Sequence, residues 1–344
     1  MPLTLPALRQ FSKLQMGIEA TKGTAVAATR VLVGERNGYR EIVDTYRSDY
    51  PVGIRGTVGG AGVIVRQGTD IVVNTDLTPH EILWPLELGI RGGISPATVD
   101  TNARNYVYTP ELTTALPTIK TATGEIIESD GTTNWIASQV AHLMCSGFKI
   151  TWSPGQPAKL SYTLFGRHRQ TLTPTGALTV YSSREVLVSP LLEAYFDTSW
   201  ANLGNTQLTT AIRSLELDVD TGFAPDYTIG DALADLDFTQ YQVGPLKAKL
   251  KGVLELNTAG SARFTKARAN SVEYIRLLNT GSLIGAVSAR NQVRVDGAYR
   301  HLAPPVISDQ GDVKVCAIDM EAVYDDTGTK EIEFSAQSLL TAIT

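Results

Sequence analysis

Four histidines, two cysteines and scattered carboxylates are the groups from which a reactive centre in this chain would have to be built. A metal or an activated nucleophile needs two or three such groups held together, and sequence spacing gives the first sign of that. His80-Glu81-Ile82-Leu83-Trp84 begins like a zinc-binding His-Glu-x-x-His helix, but Trp84 stands where the second histidine would be. His142, His168 and His301 lie far from it and from one another, and neither Cys145 nor Cys316 has a partner in C-x-x-C spacing. Lys22-Gly23-Thr24 inverts the Gly-Lys of a phosphate loop and lacks its upstream glycine. Gly56, Gly59, Gly60 and Gly62 miss the dinucleotide-binding spacing. Asp235 and Asp237 form the kind of pair a glycoside hydrolase uses, though such pairs are common on exposed strands. Arg167-His168-Arg169 reads as a solvated basic loop after a strand. The residues offer no catalytic constellation, no metal site and no cofactor site, and point away from an enzyme.

The composition fits a building block. At 344 residues there is room for two domains of about 150 residues each. Hydrophobic residues make up 43% and mean hydropathy is −0.03, so an ordinary core can form. The charged fraction of 19% is low for a free-standing soluble protein and suggests surface covered by partners. A net charge of −5 argues against nucleic-acid binding by phosphate neutralisation, but not against a surface past which DNA slides. There is no apolar run of about 18 residues to span a membrane. Met1 to Leu14 lacks the continuous apolar core of a signal peptide, and the two cysteines read as small buried hydrophobes made in a reducing cytosol.

The elements follow from periodicity, and they read as one unit used twice. Thr78-Pro79-His80-Glu81-Ile82-Leu83, closing at Leu86-Glu87-Leu88-Gly89, is echoed by Asn270-Ser271-Val272-Glu273-Tyr274-Ile275, closing at Leu278-Asn279-Thr280-Gly281. Thr78 and Asn270 are N-cap types, Glu81 and Glu273 occupy the capping-box position, and Gly89 and Gly281 suit a left-handed stop. The spacing therefore predicts one short helix per copy, with Pro79 at its first position in one and Pro85 shortening that same helix. Ala103 to Val107 is echoed by Ala289 to Val293, and Cys145 by Cys316, in the same order.

Strand signals dominate the rest. Leu215, Leu217 and Val219 alternate with Glu216 and Asp218, and Leu246 to Leu256 alternates with a lysine row, Lys247, Lys249 and Lys251. Pro154-Gly155 and Asp325-Asp326-Thr327-Gly328 each predict a hairpin turn, the second returning through Ile332 and Phe334. The reading is mainly β: two tandem β-sandwich or half-barrel domains, 1–175 and 176–344, each with one short helix and divided in the polar stretch after Gln170. Gly53 to Gly68, with six glycines around Val58, Val63, Ile64 and Val65, reads as a long loop. That loop and the C-terminal Leu339 to Ile343 carry apolar side chains with little local means of burial, and are expected to be ordered against a neighbouring subunit.

The run Met16-Gly17-Ile18-Glu19-Ala20-Thr21-Lys22-Gly23-Thr24-Ala25-Val26-Ala27-Ala28 resembles the opening of tail tube, or major tail, proteins of long-tailed bacteriophages, with its Gly-x-Glu-x-x-x-Gly-Thr-x-x-x-Ala pattern. The β-rich body, the short helix between strands and the glycine-rich loop are similar too. The resemblance implies a β-sandwich whose inner sheet joins its neighbours' sheets in a closed β-barrel ring. Such rings stack into a tube through which double-stranded DNA passes to the host. Many members of the family carry one tube fold per chain; two here imply rings of three chains, assembled with themselves and with other phage tail proteins in a virion. On that expectation Gly56, Val58, Gly60, Val63, Ile64, Leu339, Leu340 and Ile343 are candidates for subunit and ring interfaces, and Asp231, Asp235 and Asp237 for the lumen wall. The alternative is a sugar-binding β-sandwich of a tail tip, for which Trp135 and Trp200 are the exposed-aromatic candidates.

Overall fold

Alternating side chains make strands, and strands must pair, so the architecture is a question of which strand finds which neighbour. The computed structural model describes residues 9–46, 62–113, 116–181, 183–209, 211–229, 236–284 and 289–343. In chain order the first half contributes β1 (Lys13–Ile18), β2 (Arg30–Val31), β3 (Glu35–Tyr46), β4 (Val63–Asp76), β5 (Ala97–Thr98), β6 (Arg104–Tyr108), β7 (Ala122–Ser129), β8 (Asn134–Trp152), β9 (Lys159–Gly166) and β10 (Gln170–Thr171). The second half contributes β11 (Leu192–Asp197), β12 (Ile212–Asp220), β13 (Phe223–Asp226), β14 (Gln240–Val243), β15 (Lys247–Glu255), β16 (Glu273–Leu283), β17 (Arg290–His301), β18 (Val306–Gln310), β19 (Val313–Ala322) and β20 (Ile332–Ser338). Helix α1 (Leu83–Gly89) follows β4, and helix α2 (Thr258–Arg268) follows β15. The fold is mainly β, at 52% strand.

One run of eight strands organises the molecule. Its order is β3–β4–β9–β8–β12–β15–β19–β18, and every neighbouring pair is antiparallel. The first four strands come from the first half and the last four from the second. Within each set, sequence order maps to space in the same way: first, second, fourth, third. In each, a helix follows the second strand and a hairpin makes the last two. The duplication read from the sequence thus has a topological counterpart, but different residues carry it. The capping residue that matches Thr78 in this scheme is Asn257, whose side chain accepts from the N–H groups of Ala259 and Gly260 at the start of α2.

The predicted second helix is a strand. Residues from Glu273 onward form β16, paired with β17 on one side and β11 on the other. Val272, Ile275 and Leu278 fit a helical period, but Glu273, Ile275, Leu277 and Asn279 share the buried face at period two, and two flanking strands decide between them. Asn270 is left-handed, at φ 48°, just past the end of α2. The first helix forms but is short. Thr78 Oγ1 accepts from Glu81 N at 3.0 Å in the turn before the helix, whose own N-cap is Ile82 with no side-chain cap, and the Glu81 carboxylate accepts from Val33 N instead of returning to Thr78. Gly89 is the last helical residue, not a left-handed stop; a Cβ there would lie 2.8 Å from Thr221 Cγ2 and 3.0 Å from Cys145 Cβ. The hairpin expected between β19 and β20 is also absent. The Asp325–Lys330 turn forms, but β20 crosses to pair with β17 and with β6 of the first half.

Two smaller layers back the eight-strand run. Behind the first half β2, β1, β7, the early part of β8 and β10 pair in sequence. Behind the second half lie β11, β16, β17, β20, β6 and β5. Apolar faces of both halves meet in one core, where Phe148 of β8 meets Phe334 of β20 edge-on at 5.4 Å. The halves expected as 1–175 and 176–344 therefore share a sheet and a core. The eight-strand run does not close on itself within the chain, since β3 and β18 each have one strand neighbour among the described residues.

Gly89→Ala is expected to lower stability by roughly 2 kcal/mol, because α1 is wholly buried and the methyl meets Thr221 and Cys145 with no room to yield. Urea unfolding of the variant against the parent chain reads this; a change below a few tenths would mean that the approach is not tight.

Candidate assembly surfaces

The two end strands of the run are open to pairing, because an edge strand presents unpaired N–H and C=O groups to any strand that fits. On β3, Glu41 and Val43 to Tyr46 are exposed. On β18 all five residues are exposed, including Val306 and Ile307. Asp309, its one charged residue, is held by Lys314 on β19 at 2.5 Å. Neither strand carries a proline, one of the devices that blunt an edge, although β3 carries several charged residues and slips register twice against β4, and β18 is short.

The outward face of the eight-strand run is an ordered charge lattice. Lys159 pairs with Asp76 across β9 and β4 at 2.7 Å, and Lys149 of β8 reaches Glu216 and Asp218 of β12 at 3.1 and 3.8 Å. In the lysine row on β15, Lys249 and Lys251 are flanked on both sides and Lys247 on one. Lys249 lies opposite Asp218 on β12 and Glu321 on β19, Lys251 opposite Glu216 and Asp319, and Lys247 opposite Asp220. Such part-exposed pairs contribute only about 0–1 kcal/mol each. Their larger effect is on the field: the lysines' charge is cancelled one strand away, so the face presents little net attraction to phosphates.

The sequence candidates are distributed unevenly over these surfaces. Val63 and Ile64 open β4 beside Val65, exposed at the far end of the long β3–β4 hairpin. The stretch from Gly62 to Gly68, expected as loop, is therefore mostly strand, while Gly56, Val58 and Gly60 lie outside the described residues. Leu339 is exposed, but Leu340 and Ile343 pack partly buried against the core, and Tyr106 Oη donates to the Leu340 carbonyl at 3.2 Å. Part of the C-terminal segment's apolar surface is thus covered within its own chain. Asp231 and Asp235 lie outside the described residues. Asp237 is buried, accepts from His168 N at 2.7 Å and sits 2.6 Å from His168 Nδ1, so its carboxylate ties two segments of the chain together. Arg167, expected in solvent, donates to the carbonyls of Phe238 and Gly23. Trp135 is exposed at the start of β8, whereas Trp200 packs edge-on to Tyr274 under Lys330 and offers no open platform.

Sequence reasoning missed the part played by the carboxylates of Glu19, just after β1, and Glu125 of β7. Glu19 is 1% exposed and accepts four hydrogen bonds, from Gly23 N, Thr121 Oγ1, Thr123 Oγ1 and His142 N. Glu125, equally buried, accepts from Ala28 N, Gln15 Nε2 and Thr175 through both its N–H and hydroxyl. The opening run 16–28 is thus a folded clasp. Gly17 lets it close, since a Cβ there would stand 2.5 Å from the Ala27 carbonyl oxygen. The available signal was the repeated Thr121-x-Thr123-x-Glu125 on a strand, polar residues at the inward period.

Among the described residues no three His, Cys, Asp or Glu side chains gather in a metal-binding group, and no helix is long and apolar enough to cross a membrane. No family model matches the sequence, and no curated protein matches it.

Glu19→Gln replaces an acceptor of four donors with a group that must itself donate into them. A loss of about 3 kcal/mol is expected. Denaturant unfolding checks this, and an unchanged midpoint would show that the clasp is dispensable.

Proposed function

We propose that this chain is the structural subunit of a bacteriophage tail tube, three copies closing into a ring and rings stacking into a conduit for double-stranded DNA. One observation carries the reading. The joint between β8 and β12, where one four-strand set meets the other inside the chain, brings the last strand of one set against the first strand of the next. The ends of the run, β18 and β3, are again a last strand and a first strand. Joining β18 of one copy to β3 of the next repeats the internal joint between molecules. Eight is even, so the repeated joint is antiparallel like all the others. A head-to-tail contact that closes on rotation gives a ring without edges. Curved with its polar face inward, the run would line the bore with the charge lattice. No copy is needed for catalysis, and DNA would pass without being held.

Two experiments test this. Electron microscopy of the concentrated protein should show tubes or three-chain rings, and discrete monomers at every concentration would sink the proposal. Pairing Ser308→Cys with Val43→Cys or Asp44→Cys should give oxidised dimers and trimers in at least one combination. The native Cys145 and Cys316 are buried and stay out of the reaction. Only monomer in both combinations would exclude the β18–β3 joint.

The lattice makes a separate prediction. Glu216→Gln, Asp218→Asn, Asp319→Asn and Glu321→Gln together strip Lys249 and Lys251 of β15 and Lys149 of β8 of their flanking charge. The assembled variant should retain DNA at low salt and release it as salt rises, with a slope of about 2–3 in log–log form for the three lysines exposed. The parent assembly should retain none. Equal retention by both would place this face away from the DNA.

A further inference from the structure

The turn entering α1 carries polar groups that no assembly surface uses. His80 and Glu81 are 2% and 1% exposed. Glu81 Oε1 accepts from Val33 N at 3.3 Å. Glu81 Oε2, both ring nitrogens of His80 and the hydroxyls of Tyr162 and Tyr181 have no hydrogen-bond partner among the described residues. So many unpartnered buried groups in one place are costly and call for a physical explanation.

The cover over them is a single strap, residues 176–181 and 183–188, which also links the two halves of the chain. Tyr181 lies on His80 with ring centres 5.3 Å apart, and the Arg30 guanidinium of β2 lies 5.3 Å from the other partner of that stack, the Tyr181 ring. Backbone hydrogen bonds tie the strap down at Thr179, to Val31, and at Leu187, to Leu77 and Ala158. Between these ties Ser183 is left-handed, at φ 58°. A groove of about 520 Å³ on the outward face, lined by Val33, Gly34, Thr75, Lys149, Lys159 and Arg184, ends against the strap.

We propose that the strap is a proton-operated latch, closed over Glu81 while that carboxyl holds its proton and released when the proton leaves. The groups facing Glu81 are Arg184 and Tyr181 from the strap, Tyr162 from β9 and His80 from its own turn, with Arg30 behind Tyr181. A protonated Glu81 can donate its O–H to an unpartnered hydroxyl or imidazole nitrogen. An ionised one cannot, and must be solvated. Burial pushes the Glu81 carboxyl from its ordinary 4.5 up to about 7, only partly offset by Val33 N–H and Arg184. Burial, with Arg184 adding to it, holds His80 down at about 4, so the imidazole is neutral at pH 6 and above and supplies no counter-charge.

The sign follows from linkage. The carboxyl binds its proton more tightly in the closed state, so closure is fully favoured below pH 4.5 and is lost as pH rises through about 7. With 4.5 in the open state and about 7 in the closed, the closing equilibrium falls about tenfold between pH 6 and pH 8.5. Neither the latch nor its test depends on the tube reading.

Hydrogen exchange of the strap amides, corrected for intrinsic rates, reads the latch in the full chain. The parent protein should lose about tenfold protection in 183–187 between pH 6 and 8.5, with the core strands unchanged. Glu81→Gln, an uncharged isostere, should abolish the pH dependence. Arg184→Met, which removes the offsetting cation, should move the transition to higher pH; a merely structural Arg184 would loosen the strap without moving it. Strap protection independent of pH in the parent, or the same pH dependence in Glu81→Gln, would overturn the proposal. If Glu81→Gln does not fold by circular dichroism, the direction of the Arg184→Met shift alone decides.

Discussion

A hydrogen bond from the His142 amide to the Glu19 carboxylate, 2.8 Å long, sits at the point where the two kinds of layer in this molecule are joined. Strand β8 is 19 residues long and belongs to both. Its early part pairs with β7 in the small back layer, and its later part pairs with β9 and β12 in the eight-strand run. A strand can change partners only where its ladder is interrupted, and the interruption frees backbone groups that must be satisfied elsewhere. Here His142 is left-handed, at φ 59°, the register against β7 slips, and a buried carboxylate receives the freed N–H. The same carboxylate folds the 16–28 clasp and fixes Thr121, just before β7, and Thr123 of β7. Without that acceptor the bend would leave a buried donor unpaired, and the eight-strand run would lose its support.

The sequence displayed the strands well where one face is wet. The alternation in β12 and β15 and the Pro154-Gly155 hairpin of β8 and β9 are where periodicity puts them, because a half-buried strand writes its burial directly into side-chain type. It displayed poorly what depends on neighbours. Residues 272–278 satisfy both periods, and only the strands on either side of β16 settle which is used. Gly89 looks like a helix stop, yet its role is room for Thr221 and Cys145, residues far away in sequence. The last turn forms as its Asp-Gly chemistry says, but no local signal could tell that β20 leaves β19 and crosses to β6.

The candidate surfaces divide along the same line. Exposed apolar residues at Val63 and Ile64 were readable, since nothing nearby in sequence buries them. Leu340 and Ile343 look the same locally and are partly buried against a core assembled from both halves. Asp237 resembles any surface acid until His168, on the far side of the chain, is brought to it. The lysine row is the instructive case. Alone it suggests a phosphate-binding stripe; its meaning is reversed by acidic residues one strand to either side, and that adjacency exists only in three dimensions.

The β8–β12 joint has a consequence for the entropy of any larger assembly. Six residue pairs make that seam inside one molecule, so its formation carries no cost of bringing two molecules together. A symmetric closed structure built from such chains has as many covalently tethered seams as free ones. Only the free ones respond to dilution. Concentration would therefore act on half of the seams, and an opened assembly would separate into pieces that keep eight strands in order.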